Sequence, residues 1–184
     1  MQATDILTSE HRVIEGVIAS LESGARRLEN DQPIRPGFFI EATDFIKGFA
    51  DGCHHLKEEG VLFTAMQAHG MPAQGGPIAV MLAEHEQGRT FTRGLRAAAE
   101  KLEQGDPSAK QAILDNARGY AALLRAHIAR EDNILFPMAN KVIPLSQHEQ
   151  VYLDFERVEH EDTGEGVHEK YLALAERLAE EVQE

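Results

Sequence analysis

Apolar residues recur along this chain at three- and four-residue spacings over long stretches, with no clear strand-like alternation, so the pattern predicts helices almost throughout. A first helix runs roughly from Thr4 to Glu29, with His11, Ile14, Ile18, Leu21, Ala25 and Leu28 on one face. The breaker NDQPIRPG comes next. A second helix, from about Gly37 to Ala68, ends in the glycines and prolines of HGMPAQGGP. The third starts near Pro77, a residue suited to a first turn, and reaches about Gln104. In GDPSAK, Asp106 reads as a cap with Pro107 behind it, opening a fourth helix that continues to about Phe136. Beyond Pro144, SQHE reads as a capping box of Ser146 and Glu149 on a shorter fifth helix. DTGEG interrupts it, and a last amphipathic helix carries Tyr171, Leu174, Leu178 and Val182.

Four long helices joined by short polar breaks predict an all-α fold, an antiparallel up-down four-helix bundle over residues 4–140. Residues 145–184 are too few to hold a core of their own. They are expected as C-terminal helices packed on the bundle, so 1–184 reads as one domain.

Two segments repeat one wording. CHHLKEEGVLF (53–63) and AHIAREDNILFP (126–137) each place a histidine four residues before a glutamate and an aliphatic–aromatic pair four residues beyond it. Residues i and i+4 lie one above the other on a helix, so His54/Glu58 and His127/Glu131 each aim a nitrogen and a carboxylate at one point. Tyr120, Leu123, Leu124, Ile134, Leu135 and Met138 share the stripe of His127; Ile46, Ala50, Val61, Leu62 and Ala65 share that of His54. Both pairs therefore face the interior. His11 falls on the apolar stripe of the first helix, and His85 on that of Ile78, Met81, Leu82 and Leu95. A lone buried carboxylate costs on the order of several kcal/mol. Two inward carboxylates with four inward imidazoles, drawn from all four helices, call for a cation.

Depth agrees. His11 and His54 both stand roughly 26 Å from their shared turn at ~1.5 Å per residue, and His85 and His127 both near ~30 Å from theirs. His55 and Glu59 repeat the same spacing one residue on, but their stripe runs back through Asp51, Gly48 and Lys47, a polar set that reads as solvent-facing. His54/Glu58 is accordingly the pair expected inside.

Composition narrows the partners. Charged residues make up 27% and the formal charge is −13, which disfavours nucleic acid or an anionic membrane as partner, since phosphate binding needs clustered Lys and Arg. Cys53 is the single cysteine, so no intrachain disulfide forms; with no apolar run of spanning length and no leader in MQATDILTSEHRVIEG, a cytoplasmic location is expected. Nine histidines exceed an ordinary allotment. Imidazole with carboxylate suits iron, zinc, manganese or copper, while the lack of further thiols disfavours Cys-type zinc sites and iron–sulfur clusters. Six donors exceed one tetrahedral ion but fit two ions bridged by Glu58 and Glu131. The order His-x-x-x-Glu differs from the Glu-x-x-His of ferritin-like bundles. Gly-x-Ser-x-Gly, His-Glu-x-x-His and phosphate-cradling loops are missing from the sequence, so no hydrolytic arrangement competes.

With EHRVIE around His11, CHHLKEEGVLF, MLAEHEQGR around His85 and AHIAREDNILFP, in this order on four helices, residues 5–140 resemble the hemerythrin family, in its bacterial hemerythrin-like (HHE cation-binding) branch. The resemblance implies a non-heme centre of two iron ions, carboxylate- and oxo- or hydroxo-bridged, with zinc or manganese as substitutes in a purified sample. Its ligands would be His11, His54, Glu58, His85, His127 and Glu131. Oxygen-carrying members have a further histidine four residues after the one on the third helix, where this chain has Arg89. Reversible oxygen carriage is therefore disfavoured. His168, on a stripe with Tyr171, Leu172, Ala175 and Leu178, is the candidate for the missing ligand. The function expected is binding of, or reaction with, O2, NO or peroxide in sensing or stress protection. The alternatives are an iron-buffering module without turnover and an enzyme that decomposes hydrogen peroxide. The amphipathic tail offers a surface for a homodimer as well as for packing.

Overall fold

The computed structural model describes residues 2–164 and 166–183, apart from the side chain of Asp162. Among these residues there are six helices and no strand. Helix α1 is Thr4–Glu29. Helix α2 covers 36–68 in successive windings: α-helical Pro36–Phe45, π-helical Ile46–His55 and Glu58–Leu62, then α-helical Phe63–Ala68. Helix α3 is Pro77–Glu103. Helix α4 covers 107–142: a 3-10 turn Pro107–Ala109, α-helical Lys110–Arg130, π-helical Glu131–Leu135 and α-helical Phe136–Val142. Helix α5 covers 145–163, from the 3-10 turn Leu145–Gln147 through His148–Arg157 to the π-helical Val158–Thr163. Helix α6 is Val167–Glu181.

Local chemistry sets most of the ends. Pro36 and Pro77 sit in first turns, where the missing N–H costs no helical bond. Gly105, at φ 90°, turns the chain out of α3, and the Asp106 carboxylate then accepts the backbone N–H of Ser108 at 3.0 Å. Two expectations fail. The fourth helix does not stop at Phe136 but continues to Val142, because Pro137 falls in the first turn after a π winding, where the regular i to i−4 ladder is already relaxed. Ser146 forms no capping box: the 3-10 turn Leu145–Gln147 occupies that place and has no side-chain cap.

The first four helices pack in a ring, α1 on α2 and α4, α3 on α2 and α4, as an antiparallel bundle. Its interior is two apolar clusters. One, with Ile14, Leu21, Phe38, Phe45, Phe49, Leu95 and Ile113, fills the end near the α1–α2 and α3–α4 turns. The other, with Leu7, Leu62, Phe63, Met66, Met81, Leu135 and Phe155, fills the opposite end. Each fully buried side chain of this size contributes about 1.5–3 kcal/mol. A layer of buried histidine and glutamate separates the two clusters.

Helix α6 lies over the seam between α1 and α2. Its Tyr171 ring rests on Gly48, where a Cβ would stand 1.9 Å from the ring, so only glycine fits beneath it. His168 packs on Phe49 with ring centroids 5.2 Å apart, and Thr163 of α5 donates to the Gly52 carbonyl at 3.1 Å. Of the stripe Lys47, Gly48, Asp51 expected to meet solvent, Gly48 is covered by the C-terminal extension and Asp51 is half-buried beside Arg89 of α3, while Lys47 stays exposed.

Candidate metal centre

The polar layer is built from the inside outward. Both π turns begin at the glutamate of a repeated motif, Glu58 on α2 and Glu131 on α4. A π turn accommodates an extra residue and rotates the winding on its N-terminal side relative to that on its C-terminal side, a device often found at functional sites. The long π stretch Ile46–His55 has a further effect: it places two successive imidazoles, His54 and His55, on the inner side, 1% and 4% exposed. His55 stacks on His85 with ring centroids 3.8 Å apart.

Two groups of donors result. His11, His54, Glu58 and Glu131 form one; His55, Glu58, His85 and His127 form the other; within each, one ligand atom per residue lies within 4.8 Å of the rest. The carboxylates join them. Glu131 puts Oε2 3.2 Å from His11 Nε2 and Oε1 3.2 Å from His127 Nε2. Glu58 puts Oε1 3.5 Å from His54 Nε2 and Oε2 3.4 Å from His85 Nε2.

Around this core each imidazole is held by a carboxylate on its other nitrogen. Glu10 of α1 takes His54 of α2 at 2.9 Å, and Glu59 of α2 takes His85 of α3 at 2.7 Å. Glu84 of α3 takes His127 of α4 at 2.9 Å, and Asp132 of α4 takes His11 of α1 at 2.7 Å. Each helix therefore supports the histidine of the next, and the series closes on itself around the bundle. His55 is held within its own helix by Asp51, at 2.9 Å. Cations stand behind these acids: Arg12 on Asp132, Lys57 on Glu10, Arg130 on Glu84, and Arg89 on Glu59 at 2.8 Å and on Asp51 at 3.4 Å. Arg89 thus braces the acids of both His85 and His55.

The residues fit a metal pair on their own chemistry. A carboxylate only accepts, so each Nδ1 must carry the proton and each Nε2 presents a lone pair inward. His85 Nε2 and His127 Nε2 are 3.1 Å apart, two lone pairs facing each other unless a cation intervenes. All four oxygens of Glu58 and Glu131 are buried without an aligned hydrogen bond, as is His11 Nε2. Such groups cost on the order of several kcal/mol each when buried unpaired. Without metal, protons substitute. Burial disfavours the charged ring of His85, but Glu58 and Glu59 outweigh it and lift the group to about 9; His11 and His127 are raised likewise, chiefly against burial by Glu131. Burial would raise the Glu131 carboxyl, yet His11 and His127 hold it below the usual range. His55 is pushed well down by burial and by the neighbouring imidazoles, so it is a neutral donor.

Of the residues singled out from the sequence, the structure brings together His11, His54, Glu58, His85, His127 and Glu131. It does not bring His168 to them: that ring, partly exposed, has Nδ1 2.5 Å from Glu159 on the outer side of α2. The fifth imidazole is His55 instead, which the spacing assigns to solvent only on the assumption of regular α winding. The outer carboxylates also escape a reading by stripes, although four of them adjoin a donor in the sequence: Glu10 beside His11, Glu59 beside Glu58, Glu84 beside His85, Asp132 beside Glu131.

Fold and centre together define a helical-bundle metal-binding protein with an extra C-terminal helix pair. Residues 2–139 match the family described as Hemerythrin HHE cation binding domain, and the chain belongs to that family. It is 26% identical over 163 residues to an uncharacterized protein of Mycobacterium tuberculosis, and equally to one of Mycobacterium bovis, covering 89% of this chain and 63% of each relative. It is 31% identical over 120 residues to the iron-sulfur cluster repair protein YtfE of Dickeya chrysanthemi, covering 62% of this chain and 54% of that protein. The chain thus spans less than two thirds of the length of these relatives. No solved structure matches it. Among the described residues, no helix is long and apolar enough to cross a membrane.

Proposed function

We propose that this chain is a non-heme di-iron protein whose centre binds or reacts with O2, NO or peroxide, in sensing or stress protection in the cytoplasm. The observation that carries the reading is the inner face of the polar layer: five Nε2 lone pairs around four carboxylate oxygens that lack aligned partners. Mixed imidazole and carboxylate donors without thiolate suit iron, and the name of the Dickeya relative, which ties that protein to iron–sulfur repair, supports iron over zinc. His11 and His54 would hold one ion, and His55, His85 and His127 the other, with Glu58 and Glu131 shared. Bound there, two irons would supply redox electrons and Lewis acidity toward the small ligand.

The chain's own residues do the rest. The half with two imidazoles has fewer protein donors and would receive the ligand. Phe136 stacks on His11 at 5.3 Å, and Phe63 lies parallel to His85 at 6.2 Å, so apolar rings wall the layer and favour entry of a small neutral molecule over a hydrated ion. The outer carboxylates keep each Nδ1 protonated and each ring fixed, so exchange of the ligand need not disturb the donors.

Metal analysis with optical spectra of the anaerobically reduced and then aerated protein tests this. Two irons per chain and a charge-transfer band that appears on aeration, or on addition of NO or peroxide, are expected. Labile metal at less than one ion per chain, with no spectral response, would refute it in favour of iron buffering. Sustained oxygen evolution from peroxide, lost in Glu58→Gln, would make the protein an enzyme.

A further inference from the structure

Helices α5 and α6 lie beyond the segment that matches the family, which ends at residue 139, yet one side chain of α5 is linked to the centre through Lys57. Lys57 is wholly buried on α2. Its ammonium is bound by Glu10 of α1 and, at 3.1 Å, by Glu159 of α5. The second oxygen of Glu10 takes the Nδ1–H of His54 at 2.9 Å, and that of Glu159 takes the Nδ1–H of His168 at 2.5 Å. One unbroken line of polar contacts therefore runs from His168 through Glu159, Lys57 and Glu10 to His54.

The four cross-helix acids are not braced alike. Arg12 on Asp132, Arg89 on Glu59 and Arg130 on Glu84 are cations of the four-helix bundle that are 30% exposed or more. Glu10 instead depends on a fully buried lysine that is itself held from the extension. A lysine head is a compact charge on a flexible stem, so one carboxylate does not fix its position; two carboxylates from different helices do. The hydrogen bond from His168, and then Lys57, keep the Glu159 carboxyl low, to about 2, so it offers a full negative charge. Contacts of the extension with Gly48, Phe49 and Gly52 hold it alongside the same π stretch that carries His54.

We infer that Glu159 is a positioning residue for the metal centre: acting through Lys57 and Glu10, it fixes the ring of His54 and so the two-imidazole half of the centre. The extension thus supports the centre without lending it a ligand. This role rests on the metal-centre reading, and its test has an arm that does not.

The full chain and its Glu159→Gln and Glu159→Asp variants are titrated, metal-free, with Co2+, whose absorption reports each binding step. Outer partners of ligating histidines typically change metal affinity by about 10–100-fold. Glu159→Gln is expected to weaken one of the two steps by about tenfold or more and leave the other within about twofold, with Glu159→Asp restoring most of the loss. In the metal-free chain, the imidazole Nδ1–H resonance of His54, sheltered from exchange in the wild type, is expected to vanish in Glu159→Gln while that of His127 persists. An unchanged His54 resonance overturns the inference whatever the metal does. Steps that both stay, or that fall together with thermal stability, overturn it also. If the wild-type chain takes up no Co2+, the metal reading fails, and the His54 resonance decides the role of Glu159 by itself.

Discussion

Replacing Lys57 by methionine is the sharpest probe of how the outer acids are held. Methionine keeps the length and apolar body of the side chain, so it leaves little cavity. It removes the ammonium between Glu10 and Glu159. Glu159, with a side chain 23% exposed and His168 still bound, can return to water; Glu10, 5% exposed, cannot. Stranding one member of a buried pair costs roughly 3–5 kcal/mol, and with only one of the two acids stranded the lower end, about 3 kcal/mol, applies. For a domain of this size about 1 kcal/mol moves Tm by roughly 2–4 °C, so Lys57→Met should lower it by about 6–12 °C. Removing the stranded charge as well relieves most of this. The double variant Lys57→Met/Glu10→Gln should return to within about 1 kcal/mol of the wild type, since an amide oxygen can still accept from His54. Thermal and urea unfolding in chelator measure the cycle. A loss under about 1 kcal/mol in the single variant, or strict additivity in the double, would refute the account of Glu10 as a buried acid that needs the Lys57 ammonium in addition to the His54 N–H.

Three further outcomes are expected. His55→Gln should cut tightly held metal from two ions per chain to one or none, whereas His168→Gln should leave two; elemental analysis after gel filtration distinguishes them. Metal must displace the protons on His11, His85 and His127, whose affinities are raised against burial by adjacent carboxylates, so apparent affinity should climb with pH and level off above about 9, as competition titrations between about pH 6 and pH 10 would show. The His168–Glu159 contact should clamp the extension best at mildly acidic pH. His168, raised above 6.5 by Glu159, loses its contribution as pH rises through that raised value; Glu159, lowered from 4.5 to about 2 by His168 and Lys57, loses its own as pH falls toward 2. Limited proteolysis of residues 145–183 should therefore quicken above neutral pH, and His168→Gln should abolish that dependence.

The helices and the inward turn of His11, His54, His85 and His127 were legible because each lies on an apolar stripe of period 3.6, and their common depth comes from counting residues to a turn. His55 was not legible for the same reason: the stripe argument assumes 100° per residue, and the π winding of Ile46–His55 breaks that assumption where it matters. Gly48 read as a polar-face residue, since nothing local announces that Tyr171, far along the chain, will rest on it. Lys57 and Glu159 pair across 102 positions, which no periodicity can reveal. The outer acids are a middle case. Their place beside a donor is visible in EH, EE, EH and ED, but their service to the neighbouring helix emerges only once the four helices are packed in order.

That relay of acids from each helix to the next has a consequence for heredity and for engineering. Turning any single helix by one residue would withdraw the support it lends and the support it receives, breaking two links together. Point changes at one station can be tolerated or repaired, but a register slip cannot be absorbed locally. Transplanting the seven inner donors onto an unrelated scaffold would fail for the same reason, because the rings would arrive without the neighbours that aim them. The unit to be copied is the inner donors of every helix together with the acid that serves the next helix, in this cyclic sequence.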